Sequence, residues 1–178
     1  CGDLFHLDRS GVSRPVPYQD LMAGQPLGGC QISLASDTSD RVLARAGASL
    51  LVLQNHPVAA RRMASGLPAE EGPIVVNGDG SVWVISRSGR VHLVSPGGQV
   101  MREIRLRPPL VSASLAPDGA LWIGGAGEVF RVAGATEERY AEREHVPRGE
   151  VRDILVDEDG IVWVATYGGG VGRLRQGR

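Results

Sequence analysis

The residues here that could do chemistry are four histidines, a short acidic turn, a glycine run and two cysteines. His6, His56, His92 and His145 are potential metal ligands or general bases, since imidazole titrates near neutrality. No two of them stand at metal-pair spacing. His6 and His92 occupy similar places in the third strands of their repeats, so they read as ordinary strand or turn histidines. Asp157-Glu158-Asp159-Gly160 has carboxylates like those of a calcium loop but lacks the full ligand spacing and the closing Glu, and it reads as a solvated hairpin turn. Gly168-Gly169-Gly170-Val171-Gly172 would cradle a phosphate only if it opened a helix, and it opens a strand instead. Cys1 and Cys30 would pair only after export, and two thiols define no framework. No metal or cofactor site is read.

The elements that position these residues are short strands. Glu150 to Arg175 holds two apolar runs, Val151 to Val156 and Ile161 to Thr166, joined by the acidic turn, then a glycine turn into Val171-Gly172-Arg173-Leu174. Branched residues and a Trp fill the runs, while Asp and Gly supply the left-handed backbone of hairpin turns. The phrase recurs at Gly119-Ala120-Leu121-Trp122-Ile123-Gly124 and at Gly80-Ser81-Val82-Trp83-Val84-Ile85. Trp83, Trp122 and Trp163 are 39 and 41 residues apart, and each follows its repeat glycine (Gly80, Gly119, Gly160) by three positions. A period near 40 in an all-strand pattern predicts an all-β fold of stacked four-stranded antiparallel sheets, the blades of a β-propeller. The fixed place of the three Trp in the repeat predicts packing between blades in preference to a sugar platform.

These motifs resemble the two-component regulator propeller repeat. Asp159-Gly160, Trp163, Thr166, Gly169-Gly170 and Arg173-Leu174 match it, as do Asp118-Gly119, Leu121-Trp122-Ile123-Gly124 and Gly127. In the third copy Ser86-Arg87-Ser88-Gly89 replaces the Gly-Thr and Gly-Gly elements. The resemblance implies a non-catalytic sensor propeller on the periplasmic or extracytoplasmic side of a membrane-anchored histidine kinase or related regulator. It also implies a small ligand, with carbohydrate-like ligands among the candidates, and a homodimer formed through the parent receptor. A similar Asp-Gly-x-x-Trp phrase occurs in the streptogramin-lyase-like group, which would make the chain a propeller enzyme. A protein-binding scaffold is a third reading, favoured by any large exposed apolar face.

Along the chain, residues 2 to 18 read as the end of a blade, with Asp8-Arg9-Ser10-Gly11 as its turn, and 19 to 29 as a connector. Residues 30 to 66 read as a degenerate blade in which Leu50 or Leu51 replaces the Trp; Ala59 to Ala64 could form a helical turn, but Val58 to Met63 is read as the fourth strand, with context overriding helix propensity. Blades follow at 67–106 and 110–146, the latter with Arg139 to His145 as a charged outer strand, and an incomplete blade at 150–178. Arg61-Arg62 reads as solvated edge charge. The chain begins and ends within a repeat, which favours an open arc from a larger ring over a four-bladed closure, and a piece of a longer protein over a lipoprotein beginning at Cys1.

Propeller ligands usually bind at one mouth of the central channel, among the turns joining second to third strands and the connectors between blades. On this register the mouth takes in Arg87, Gly124-Gly125, Thr166-Tyr167-Gly168, Arg107, and His145 to Arg148. Arg87, Tyr167, Arg107, His145 and Arg148 are therefore the candidate ligand residues, and His145 is the only histidine near such a loop. Nineteen basic residues, all Arg, against twenty acidic ones leave a net charge of −1. That balance gives no electrostatic case for nucleic acid or an anionic membrane. No apolar run approaches the length of a membrane span.

Overall fold

The computed structural model describes residues 5–7, 13–15, 32–36, 41–55 and 58–174. Cys1, Cys30, His56, the turn at Asp8 to Gly11 and the connector at 19–29 lie outside these residues, as does the side chain of His6.

Alternating and continuous apolar runs pair into antiparallel sheets in chain order. β1 (Phe5–Leu7) and β2 (Ser13–Pro15) form a two-stranded ribbon. The first four-stranded sheet follows the order β3 (Ile32–Ser36), β4 (Val42–Ala46), β5 (Ser49–Asn55) and β6 (Val58–Ala64). The second contains β7 (Ile74–Val76), β8 (Val82–Ile85), β9 (Arg90–Val94) and β10 (Val100–Arg105). The third contains β11 (Ser112–Leu115), β12 (Leu121–Gly124), β13 (Val129–Ala133) and β14 (Thr136–Tyr140). The fourth has three strands, β15 (Val151–Val156), β16 (Val162–Thr166) and β17 (Gly170–Leu174). β3 packs on β7, β7 on β11 and β11 on β15, so the first strands form the inner wall of an arc of β-propeller blades.

Residues 58–64 are strand, as expected, because pairing with β5 overrides the helix propensity of the alanines. Two readings need correction. The position equivalent to the repeat Trp in the first sheet is Leu43, second residue of β4, since Leu50 and Leu51 lie on the third strand, β5. The outer strand of the third sheet is Thr136–Tyr140, not Arg139 to His145. A tight hairpin at Gly134 pairs Ala133 with Thr136 and starts the strand early. Beyond it, Glu142–Glu144 form a 3-10 turn, with the Glu144 carboxylate accepting the Ala141 amide hydrogen at 2.8 Å.

The core lies between sheets, because the period-2 alternation of each inner strand sends consecutive side chains to opposite neighbours. On β8, Val82 and Val84 join Leu43 and Leu50 against the first sheet, while Trp83 and Ile85 join Leu110, Leu121 and Ile123 against the third. On β12 the roles repeat, and Trp122 packs with Val151, Ile154, Val162 and Val164 of the fourth. Inter-blade packing thus holds for Trp83 and Trp122. It does not hold for Trp163, which is 38% exposed on the far face of the fourth sheet. Arg61 and Arg62 are exposed on the outer strand.

The repeat glycines set the turns. Gly80, Gly119 and Gly160 have φ of 79°, 80° and 74°, the left-handed region in which other residues are strained. Ahead of each, an Asp organises the turn: Asp79 accepts the Ser81 amide at 2.9 Å and Asp118 that of Ala120 at 3.0 Å. Asp157 instead accepts the amides of Asp159 and Ile161 and the Trp163 indole N–H, at 3.1, 2.8 and 3.1 Å. Its oxygens are spent on the turn.

A candidate ligand site at the mouth of the arc

The mouth is assembled from backbone before any side chain is placed. At each junction the residue leading into a new sheet donates its amide hydrogen to the turn between the second and third strands of the sheet before it. Leu67 bonds the Ala48 carbonyl at 3.1 Å, Leu110 that of Arg87 at 3.2 Å, and Val151 that of Gly125 at 2.9 Å. All three donors are buried apolar residues, so each latch also plugs a gap. The turn residue in turn binds its own sheet's connector: Arg87 N–H to the Glu71 carbonyl at 2.7 Å and Tyr167 N–H to that of Glu150 at 2.8 Å. Arg87 and Tyr167 therefore stand at matching points of the second and fourth sheets.

Beside the Arg87 turn lies an open cavity of about 550 Å³, lined by Glu70, Glu71, Arg87, Ser88, Pro108 and Pro109. The connector carrying the two Glu is braced from behind by Arg45, a buried guanidinium on β4. It donates to the carbonyls of Gly72 at 3.2 Å and Pro68 at 2.9 Å, and to those of Ile85 and Glu70. Burial pulls Arg45 down to about 10, against the opposing pull of Glu70, so it stays charged at neutral pH. The Glu70 carboxyl is held below the usual range, chiefly by its own backbone N–H and next by the Ser86 hydroxyl, which donates to it at 3.0 Å. The cavity thus offers ionised acceptors from Glu70, donors from Arg87 and Ser88, and an apolar wall from the two prolines.

Arg87 also pairs with Glu150 at 3.4 Å, and Glu150 meets Arg152 at 3.7 Å. The Arg152 guanidinium lies 5.4 Å from the centroid of the exposed Tyr167 ring. The result is a polar rim running from the second sheet to the fourth.

Of the residues expected at the site, Arg87 lines the cavity and Tyr167 ends the rim. Arg107 lies apart, in a cluster where the buried Glu128 carboxylate accepts from Arg107 at 3.0 Å and from Arg139. That pairing holds Glu128 below the usual carboxyl range, Arg139 being the main cause. His145 caps the 3-10 turn with φ of 68°, and Arg148 is paired with Glu142 at 2.8 Å. Neither lines the cavity. Sequence reasoning missed Glu70, Glu71, Ser88, Pro108, Pro109, Glu150 and Arg152. The acidic pair and the Pro-Pro step sit in connectors, and that position was the available signal. His92 lies buried on β9, 3.6 Å from Glu103 on β10. Among the described residues no three His, Cys, Asp or Glu side chains converge on a common point, and no helix is long and apolar enough to cross a membrane.

Stacked four-stranded antiparallel sheets with their first strands innermost make this a β-propeller protein. Residues 145–168, which run from the last connector through β15 and β16, match the family model "Two component regulator propeller". The fold is similar to the extracellular domain of BT4673 from B. thetaiotaomicron, described as a one component system. The TM-score is 0.72 at 13% identity, over 99% of this chain and 25% of that one. A second structure of that domain, described as part of a hybrid two component system, gives 0.71 at 13% identity over the same shares. Streptogramin B lyase gives 0.66 at 15% identity, over 99% of this chain and 62% of that one. At these identities the likeness is one of fold. The chain spans a quarter of the length of the BT4673 domain. No curated protein matches the chain.

Proposed function

We propose that this chain is the ligand-receiving part of an extracytoplasmic sensor propeller in a two-component signalling protein, and that it binds its ligand without catalysing a reaction. The observation that carries this reading is the cavity at the mouth, walled by Glu70, Glu71, Arg87, Ser88 and the two prolines. Carboxylates accept from vicinal hydroxyls, a guanidinium and a serine donate to ring or hydroxyl oxygens, and proline carbons pack on an apolar sugar face. A polyhydroxylated, carbohydrate-like ligand fits that mixture. The enzyme reading needs a His and a carboxylate meeting at the mouth. Among the residues lining the cavity there is no histidine, which favours binding over chemistry. The family repeat and the extracellular neighbours support an extracytoplasmic location within a membrane-anchored receptor, and a homodimer through that receptor accords with the same reading.

The test is a thermal-shift screen of neutral, acidic and amino oligosaccharides on the wild-type chain and on Arg87→Ala and Glu70→Gln. Compounds that raise the Tm of the wild type and lose that effect in both variants support the site. Hits that stabilise all three proteins equally, or an absence of any hit, overturn it.

A further inference from the structure

We propose that the cavity beside the Arg87 turn selects a glycan carrying a protonated amine, and that Glu71 is the residue that seats the ammonium. This inference rests on the ligand reading above and narrows it to one charge class. The charged side chains lining the cavity are Glu70, Glu71 and Arg87, and each stands in a different electrostatic situation. Glu70 is already served, because the Ser86 hydroxyl donates to it at 3.0 Å and it lies in the field of Arg90 and Arg45. Arg87 is turned to the rim, where Glu150 takes its guanidinium at 3.4 Å. The Glu71 carboxylate has neither a hydrogen bond nor an ion pair among the described residues. It is the charge of the cavity that the fold leaves unanswered.

The backbone that carries Glu71 is fixed on both sides. Its carbonyl accepts the Arg87 N–H at 2.7 Å, which ties the connector to the β8–β9 turn. Arg45 binds the carbonyl of Gly72 after it and those of Glu70 and Pro68 before it. At Gly72 an added Cβ would lie 2.1 Å from the Ile85 carbonyl oxygen, so the connector is seated directly on the end of β8. Such anchoring lowers the entropy lost when the half-buried Glu71 takes a ligand. A neutral hydroxyl would donate to this carboxylate but leave its charge uncompensated. An ammonium brings both donors and charge, and a bond charged at both ends is about twice as strong as a neutral one. An acidic glycan would meet two carboxylates and a guanidinium already committed to Glu150, so it is disfavoured. Proline carbons remain free to pack on the sugar ring.

The experiment is calorimetric titration of the full chain with two probes that differ only at nitrogen. One is a short oligomer of β-1,4-linked glucosamine and the other its fully N-acetylated counterpart, both at about pH 6, where the free amine is protonated. The amine form should bind about tenfold more tightly or better, and raising the salt should shrink that advantage. Glu71→Gln keeps the side-chain volume and removes none of the bonds described above, so its Tm should stay within about 1 °C of the wild type. It should bring the amine form down to the affinity of the acetylated form and leave the acetylated form within about twofold of its wild-type value. Equal binding of the two probes, or tighter binding of the acetylated one, overturns the amine assignment and leaves the sugar reading standing. An amine preference that survives in Glu71→Gln overturns the role of Glu71. Binding of neither probe overturns this inference, and the broader reading falls with it only if the oligosaccharide screen is also empty.

Discussion

Arg87, on a turn of the second sheet, reaches across the third to pair with Glu150 at the head of the fourth, at 3.4 Å. Two residues 63 positions apart thus share one rim because the backbone latches at Leu110 and Val151 fix the intervening turns. The pair is an orienting contact more than a source of stability, since both side chains keep substantial access to water.

Arg87→Ala is accordingly expected to cost about 1 kcal/mol of folding stability or less by urea denaturation, while abolishing the ligand response of the cavity. A loss above about 2 kcal/mol would mean that the ion pair is structural.

Arg45 should behave in the opposite way. Its guanidinium is the buried partner of four backbone carbonyls, so Arg45→Met leaves acceptors without donors and should destabilise by about 3 kcal/mol or more. Arg45→Lys should rescue little, because an ammonium cannot present donors in the planar fork that reaches carbonyls in several directions. Equilibrium denaturation of both variants checks this, and full rescue by Lys would sink it.

Trp122→Ala is expected to cost about 3–5 kcal/mol, the range for emptying an aromatic site in a packed core. Trp163→Ala should cost about 1 kcal/mol or less, as that face is open. The two residues hold the same place in the repeat, so equal losses would contradict the observed burial.

The turn glycines separate in the same manner. Gly119→Ala meets open space and only the left-handed strain, about 1 kcal/mol. At Gly89, with φ of 96°, an added Cβ would lie 2.3 Å from the Leu106 carbonyl oxygen. Gly89→Ala should therefore cost about 2 kcal/mol or more, since strain and collision combine. Measured values in the reverse order would refute the geometry of the β8–β9 turn.

Asp157 supplies a pH signature. The Trp163 indole N–H, and next the Ile161 amide, hold its carboxyl below the ordinary 3.8. Its folded-state pKa lies below the unfolded one, so the stabilisation is complete above about 3.8 and is lost as pH falls through the lower folded value. Trp163 emission should change in that acid window, and Asp157→Asn should remove the change. An acid limb identical in the variant would count against the indole contact.

Much of this architecture was written in local chemistry. The Asp-Gly turns, the Trp at intervals of 39 and 41 residues and the period-2 runs require hairpins stacked as blades, because alternation and left-handed glycines leave few other solutions. The same register placed Arg87 and Tyr167 at corresponding turns. What the repeat could not encode was anything that depends on which neighbour a residue meets. Leu43 takes the Trp position in the first sheet through pairing and not through resemblance, and the outer strand of the third sheet begins at Thr136 because of one tight turn. Arg107 turned to the buried Glu128, while connector residues Glu70, Glu71, Pro108 and Pro109 came together from positions up to 39 apart to wall the cavity. Trp83, Trp122 and Trp163 carry one local signal, yet only packing decides that two are core and the third is surface. Burial is a property of the neighbour, and the neighbour is set by the tertiary structure.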